Sequence, residues 1–159
     1  MKTVIPIICF IILSSAGCQS KKIIVQENFK NLKNVEFIYK KYSRGFYNEI
    51  IINKNRIRTY LNYEKNKFTD LDINSQQWQK CLSIADEINL NKLNEIKSTS
   101  NDRYSDKVHY GKLIIQSNEK QFNSIIDFDH GNPPKEIARL INYLLYSFLN
   151  SKASGFNAK

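Results

Sequence analysis

Three short segments with period-two patterning lie close together early in the chain, and they constrain its fold more than any other feature. Apolar and polar side chains alternate over residues 35–40, residues 46–52 are rich in aromatic and β-branched side chains, and residues 56–63 alternate again. Alternation of this kind is typical of β-strands. The turns at 43–45 and 53–55 are short, and Asn in the second tolerates positive φ. We therefore predict a three-stranded antiparallel meander.

A helical pattern follows the meander. Trp78, Cys81 and other apolar residues recur at spacings of three and four, which predicts one buried stripe on a helix. Asp72 or Asn74 can cap this helix, and we expect it to run to about Asn89. Cys81 on the stripe is interpreted as a small core residue rather than a nucleophile.

The rest of the chain repeats a hairpin-then-helix arrangement. Residues 107–116 and 121–128 are predicted strands, and Pro133 and Pro134 open a last amphipathic helix. The order β-β-β-α-β-β-α predicts an α+β two-layer sandwich, with an antiparallel sheet of about five strands and two amphipathic helices.

The N-terminus carries a short apolar run between one positive charge and a cysteine. Lys2 is the only charged residue before Cys18, and residues 4–13 are almost entirely apolar. A membrane-spanning helix needs about 20 apolar residues, so this shorter run indicates a secretory signal peptide. The run leads into Ala16, Gly17 and Cys18, a segment that resembles the lipobox of bacterial lipoproteins. In that family, cleavage precedes the cysteine and its thiol receives a diacylglyceryl group.

This resemblance implies lipidation of Cys18 and attachment to a membrane of the bacterial cell envelope. Ser15 stands where the family usually has Leu, and the alternative is an ordinary signal peptide cut nearby. No Asp follows Cys18, which by resemblance to enterobacterial lipoproteins favours the outer membrane, at its periplasmic face or the cell surface. The chain resembles small lipoproteins of flavobacterial type, but the resemblance covers only about the first 20 residues, and the body of the chain resembles no family that would imply an activity.

Four segments are predicted on this basis. They are a signal peptide at 1–17, a lipidated cysteine with a polar tether at 18–34, a single α+β domain at 35–150 and a disordered tail at 151–159.

The positive charge is concentrated in the half of the chain next to the predicted anchor. The formal net charge is +9, and residues 21–67 hold 12 Lys and Arg against four Asp and Glu, whereas residues 68–159 hold 11 of each. A basic surface suits anionic headgroups or an acidic envelope polymer. Nucleic acid is the usual partner of a basic patch, but an exported protein seldom meets it, so no nucleic-acid partner is predicted. A solvated Lys-rich face is the other interpretation.

The stretch at the end of the fifth predicted strand carries the residues best suited to chemistry. Asp127, Asp129 and His130 could ligate a metal, or Asp129 could orient His130 as a general base. His109 is predicted to lie opposite Phe128 if the last two strands pair, which would bring the two histidines near each other. The alternative is structural, with Phe128 packed inward, both Asp side chains outward and Asp129 capping the turn.

A second candidate site is a basic aromatic surface on the meander, formed by Arg44, Arg56 and Arg58 among tyrosines. Such a surface suits a polyanion or an acidic protein face. No nucleophile elbow, HExxH helix, phosphate loop or dinucleotide-binding glycine pattern occurs in the sequence, and no cofactor is predicted.

The sequence therefore favours a lipid-anchored, non-enzymatic envelope protein whose domain binds an envelope protein or an anionic polymer. Two alternatives stay open. One is a metal-dependent or His/Asp hydrolase that uses His109, Asp127, Asp129 and His130, and the other is a small inhibitor of an enzyme.

Overall fold

The computed structural model describes Phe29, Leu32, residues 34–117 and residues 122–155. The predicted signal peptide, Cys18 and residues 156–159 lie outside this part of the chain. Six strands, two α-helices and two 3₁₀ helices occupy the described ranges. They are β1 (Val35–Ser43), β2 (Phe46–Ile52), β3 (Arg56–Tyr60), β4 (Phe68–Asp72), α1 (Ser75–Ala85), the 3₁₀ helices Leu90–Glu95 and Asp102–Ser105, β5 (Tyr110–Ser117), β6 (Phe122–Asp129) and α2 (Lys135–Gly155).

The strands form one antiparallel sheet in the order β4-β3-β2-β1-β5-β6. The first four strands are a meander, and the chain returns through α1 to place β5 on the free edge of β1. The apolar stripes of α1 and α2 join a single core with one face of the sheet. The predicted α+β class and its two-layer arrangement are confirmed.

Alternation along β1 decides which face of the sheet is covered. Val35, Phe37 and Tyr39 are at most 3% exposed and point toward the helices. Trp78 on α1 packs against Phe37, with ring centroids 6.0 Å apart. Burying one such aromatic side chain contributes about 1.5–3 kcal/mol. Lys41 lies on the same face as these three residues, near the end of β1, and it is not part of the core.

The sheet has one more strand than the sequence predicted. Residues 61–67 form an exposed loop, so β3 ends at Tyr60 rather than at residue 63, and β4 then pairs with β3. Phe68 is 51% exposed and Leu71 is only partly buried. Because β4 is an edge strand with little apolar side chain to bury, it lacks the alternation that identifies a strand in sequence.

Helix α1 starts where the sequence predicted and ends earlier. The side chain of Asn74 accepts a hydrogen bond from the backbone N–H of Gln77, whose side chain accepts one from the Asn74 backbone N–H, which makes a capping box. The helix ends at Ala85 instead of Asn89. Neither helix in the described ranges combines the length and apolar character needed to cross a bilayer.

Two predicted segment boundaries also change. Phe29, placed by the sequence in a polar tether, is fully buried in the core, with its ring centroid 5.8 Å from that of Phe37. The domain therefore includes part of the segment 18–34. At the other end, α2 continues past Asn150, where the domain was expected to stop, to Gly155.

Candidate functional site

Asp129 lies at the end of β6 in a buried ion pair that the sequence did not predict. Its carboxylate accepts hydrogen bonds from the backbone N–H groups of Asp102 and Arg103, at 2.8 and 3.2 Å, and from the Arg103 guanidinium at 2.7 Å. Asp129 is 2% exposed and Arg103 is 4% exposed. Asp129 thus fastens the 3₁₀ helix Asp102–Ser105 to the sheet. Its side chain lies on the face opposite Phe128, as predicted, but it is buried beneath this helix instead of facing solvent.

These contacts set the ionisation of Asp129. Burial alone would raise its pKa, but hydrogen bonds from Ser100, Arg103 and the backbone N–H groups of Asp102 and Arg103 lower the pKa to about 2. The carboxylate is therefore ionised and fully occupied, so it is not available as a general base, as an orienting group for His130 or as a metal ligand.

The two histidines do come together, as the sequence predicted. The backbone N–H of His130 donates to the carbonyl of His109 at 2.9 Å, and the ring centroids are 6.3 Å apart. The strand register differs from the predicted one by two residues, because Gly111 rather than His109 pairs with Phe128. A Cβ on Gly111 would lie 2.7 Å from the Phe128 ring, so a larger residue cannot sit at this position without displacing Phe128.

Each imidazole is held by a different hydroxyl group. Nδ1 of His130 is 2.5 Å from the Tyr39 hydroxyl, and Nδ1 of His109 is 2.8 Å from Oγ of Ser43. Burial, followed by the charges of Lys41 and His109, lowers the pKa of His130 to about 4. Burial raises the pKa of Tyr39. At neutral pH both groups are therefore uncharged.

The arrangement around Ser43 and His109 lacks parts that nucleophilic catalysis requires. A Ser–His pair that attacks an acyl group needs a third group that orients the imidazole. No carboxylate is hydrogen-bonded to either imidazole in the part of the chain that the structure describes. Cys81 is fully buried, as predicted, and burial raises its pKa to about 12, so its thiol is unreactive.

Asp127 completes the placement of the predicted acidic and histidine residues. Its side chain lies on the face of the sheet opposite the helices and the two histidines. There its carboxylate lies 3.2 Å from the ammonium group of Lys112. Across residues 34–117 and 122–155, no group of three or more His, Cys, Asp or Glu side chains could hold a metal ion.

The three predicted arginines occupy two separate places. Arg56 and Arg58 lie on β3, and Arg58 makes a bidentate pair with Asp70 on β4, at 2.7 and 2.5 Å. Arg44 lies in the turn between β1 and β2, at the other end of the sheet.

Comparison with protein-family models, curated proteins and solved structures finds no match.

The face of the sheet opposite the helices, which we call the open face, carries a row of aromatic rings. Tyr47, Tyr42 and Tyr110 are paired across β2, β1 and β5. Tyr42 and Tyr110 stack with centroids 5.1 Å apart, while Tyr63 extends the row at one end and Tyr104 at the other, with centroids 4.5 and 6.0 Å from their neighbours. We call these five residues the tyrosine row.

The loop 61–67 folds back over the sheet and adds Tyr63 to the tyrosine row. The hydroxyl of Tyr63 donates to the carbonyls of Ser43 and Phe46. The same loop covers Glu49, which is 1% exposed although it lies on the open face. Tyr47 and Lys65 both hydrogen-bond to the Glu49 carboxylate. Sequence periodicity does not reveal this contact, since it joins a strand to a loop.

A second row on the open face is aliphatic. Isoleucines pair across four neighbouring strands, and the last of them is 52% exposed. The row consists of Ile51, Ile38, Ile114 and Ile125. Apart from the buried Asp129–Arg103 pair, charges on the open face and in the loop 61–67 over it are balanced, with six basic residues against six acidic ones. The basic residues are Lys40, Arg56, Arg58, Lys65, Lys67 and Lys112, and the acidic residues are Glu36, Glu49, Glu64, Asp70, Asp72 and Asp127.

Proposed function

We propose that this chain is a lipid-anchored protein of the bacterial cell envelope whose α+β domain is a non-enzymatic binding module, and that it binds another envelope protein through the open face. The observation that carries the proposal is the tyrosine row. Its five rings are partly or largely exposed to solvent, and an exposed aromatic patch of this kind is typical of a surface that contacts a partner.

The composition of the open face supports a protein as partner over an anionic polymer. Tyrosine is enriched in protein–protein interfaces, and it adds contact area at a low cost in conformational entropy. The aliphatic row lies beyond a row of charged side chains and adds exposed apolar surface chiefly at Ile125. An anionic polymer would require an excess of positive charge, whereas the charges on this face balance and Arg58 is already paired with Asp70.

The tyrosine hydroxyls also suit a protein surface. Burial is the largest cause that raises the pKa of Tyr42, and it likewise raises that of Tyr47. The Tyr42 hydroxyl therefore stays protonated and can donate a hydrogen bond to a backbone carbonyl of a partner, whereas the Tyr47 hydroxyl already donates to the Glu49 carboxylate. At about 4.8 Å per strand, the six strands present a face about 25 Å wide.

The hydrolase alternative has less support. Asp129 is bound to Arg103, Cys81 is buried, and the Ser43–His109 pair has no orienting carboxylate in the described ranges. His130→Ala remains the substitution that separates the two functions. An enzyme would lose its activity while it stayed folded, and a binding module would keep its partner.

The experiment is site-specific photocrosslinking in intact cells. A photoreactive phenylalanine analogue replaces Tyr110 on the open face or, as a matched control, Tyr146, which is 65% exposed on α2. We expect one protein adduct of defined mass from position 110 and none from position 146. Equal adducts from both positions, or none from either, would contradict the proposal.

The anchor is tested separately. Cys18→Ser should abolish incorporation of labelled palmitate and release the protein from the membrane fraction, because two or three acyl chains hold a protein firmly and none would remain. Unchanged labelling would show that Cys18 is not the lipidation site.

A further inference from the structure

We propose that the cavity at the end of β1 is a second binding site, and that it takes the phosphate group of a phosphate ester. This sheet-end cavity has a volume of about 370 Å³, which falls in the range of small-molecule sites. Its walls are the β1–β2 turn and the segment before β5. The lining residues are Ser43, Arg44, Asp106, Lys107, Val108 and His109. The site is distinct from the open face, and its test does not depend on the proposed protein partner.

The two basic side chains of the sheet-end cavity are available to a ligand. Arg44 is exposed and has no ion-pair partner among the described residues. Lys107 has one acidic neighbour, Asp102, at 3.8 Å, and its side chain is 70% exposed. Exposed pairs at such distances contribute little free energy, so the Lys107 ammonium can turn toward an anion at small cost. A guanidinium and an ammonium at one opening are the usual combination that binds phosphate.

Two further polar side chains beside them are held in place. Ser43 and His109 are hydrogen-bonded to each other, and Phe46 stacks on the His109 ring with centroids 4.9 Å apart. The ammonium group of Lys41 lies 5.2 Å from the centre of the Phe46 ring. After burial, Lys41 and His109 are the groups that lower the pKa of neighbouring His130, which indicates a positive potential at this end of the sheet.

The cavity favours an ester over inorganic phosphate. Its volume exceeds that of one phosphate group, and Asp106 in its wall can accept a hydrogen bond from a hydroxyl group of the esterified part of the ligand. A ligand that carries both a phosphate and hydroxyl groups satisfies both kinds of lining residue. Phosphate also offers three terminal oxygens to the several donors, whereas a carboxylate offers two in one plane.

The position of the cavity favours a soluble or polymer-borne ester over a lipid headgroup. Phe29 packs on Phe37 near the start of β1, whereas the cavity lies at the far end of this strand, beside Ser43, about 20 Å from Phe37. If the chain is anchored at Cys18, the cavity opens away from the anchored end of the domain.

The experiment is titration calorimetry with the full chain carrying Cys18→Ser, so that no lipid contributes. The probes are glucose 6-phosphate, glucose, inorganic phosphate and vesicles of phosphatidylglycerol. We expect glucose 6-phosphate to bind more tightly than inorganic phosphate and glucose not to bind. Arg44→Ala and Lys107→Ala should each weaken glucose 6-phosphate binding about tenfold or more, because each removes a charge-assisted hydrogen bond. The control Lys80→Ala removes one exposed charge from α1 and should leave the affinity within about twofold.

Three outcomes would overturn the proposal. They are no binding of glucose 6-phosphate at millimolar concentration, an equal loss of affinity in Lys80→Ala, and binding to vesicles alone. Thermal unfolding is measured as a control for folding. The Arg44 and Lys107 variants should unfold at the same temperature as the parent chain. These exposed side chains contribute little to stability.

Discussion

At the scale of single residues, the most informative contact is the one between Asp129 and Arg103. The two residues are 26 positions apart in the sequence, and the stretch around Asp129 resembles a catalytic or metal site at the end of a strand. In the folded chain the carboxylate is occupied by a guanidinium and two backbone N–H groups. Asp129 therefore has a structural role, because Arg103 pairs with it in the folded chain.

This contact predicts a large loss of stability in Asp129→Asn. Removing one partner leaves the buried Arg103 charge uncompensated, which costs about 3–5 kcal/mol in the free energy of unfolding. Urea denaturation at neutral pH measures this difference. Asp127→Asn is the matched control, since Asp127 is exposed and its pair with Lys112 contributes little. A change of similar size in both variants would contradict the argument.

The pH dependence follows from the same carboxylate. Its pKa in the folded state is about 2, below the ordinary value of 3.8, so the ionised form stabilises the fold above about pH 4. This contribution is lost as the pH falls from about 4 toward 2. In urea titrations over this range, the parent chain should lose more stability than Asp129→Asn. Parallel curves for the two proteins would show that Asp129 does not titrate with folding.

At the scale of secondary-structure elements, the hydrophobic periodicity of the sequence matches the faces that the strands and helices bury for most of the chain. The alternation of β1 and β2 and the stripe on α1 identify elements that bury one face, and these elements were predicted. Strand β4 was missed, since Thr69, Asp70 and Asp72 face solvent at a sheet edge and show no period of two in hydrophobicity. What makes it a strand is its pairing with β3, and pairing is a non-local property.

The start of α1 gives a prediction at this scale. Asn74→Ala removes the side-chain acceptor of the capping box and should lower the free energy of unfolding by about 1 kcal/mol. Ser75→Ala, at the exposed next position, is the control and should change it by less than about 0.5 kcal/mol. Chemical denaturation of the two variants checks the difference, and equal values would argue against the cap.

At the scale of the whole molecule, the two faces of the sheet differ in composition and burial. The inner face and the helices make the core, while the open face carries the tyrosine row and balanced charge. Arg44 and the pair Arg56 and Arg58 do not form one basic surface. They lie at opposite ends of the strands, although they are close in sequence.

Phe29 tests where the folded domain begins. Its side chain is fully buried against Phe37, so Phe29→Ala should cost about 3–5 kcal/mol in the free energy of unfolding. The control is Tyr146→Ala, which truncates an aromatic side chain that is 65% exposed. Thermal unfolding of both variants measures the difference. A small effect at Phe29 would mean that the segment before β1 adds nothing to the domain.

The sequence by itself determined the class of the fold, the first three strands, the start of α1 and the approach of His109 to His130. Each of these rests on local patterning or on the pairing of neighbouring strands, which periodicity and turn residues encode. Only the tertiary structure decided the pairing of β4, the Asp129–Arg103 contact, the burial of Phe29 and the continuity of the tyrosine row. No local pattern in the sequence encodes these features, because their free energy arises from contacts that form after the strands and helices have packed.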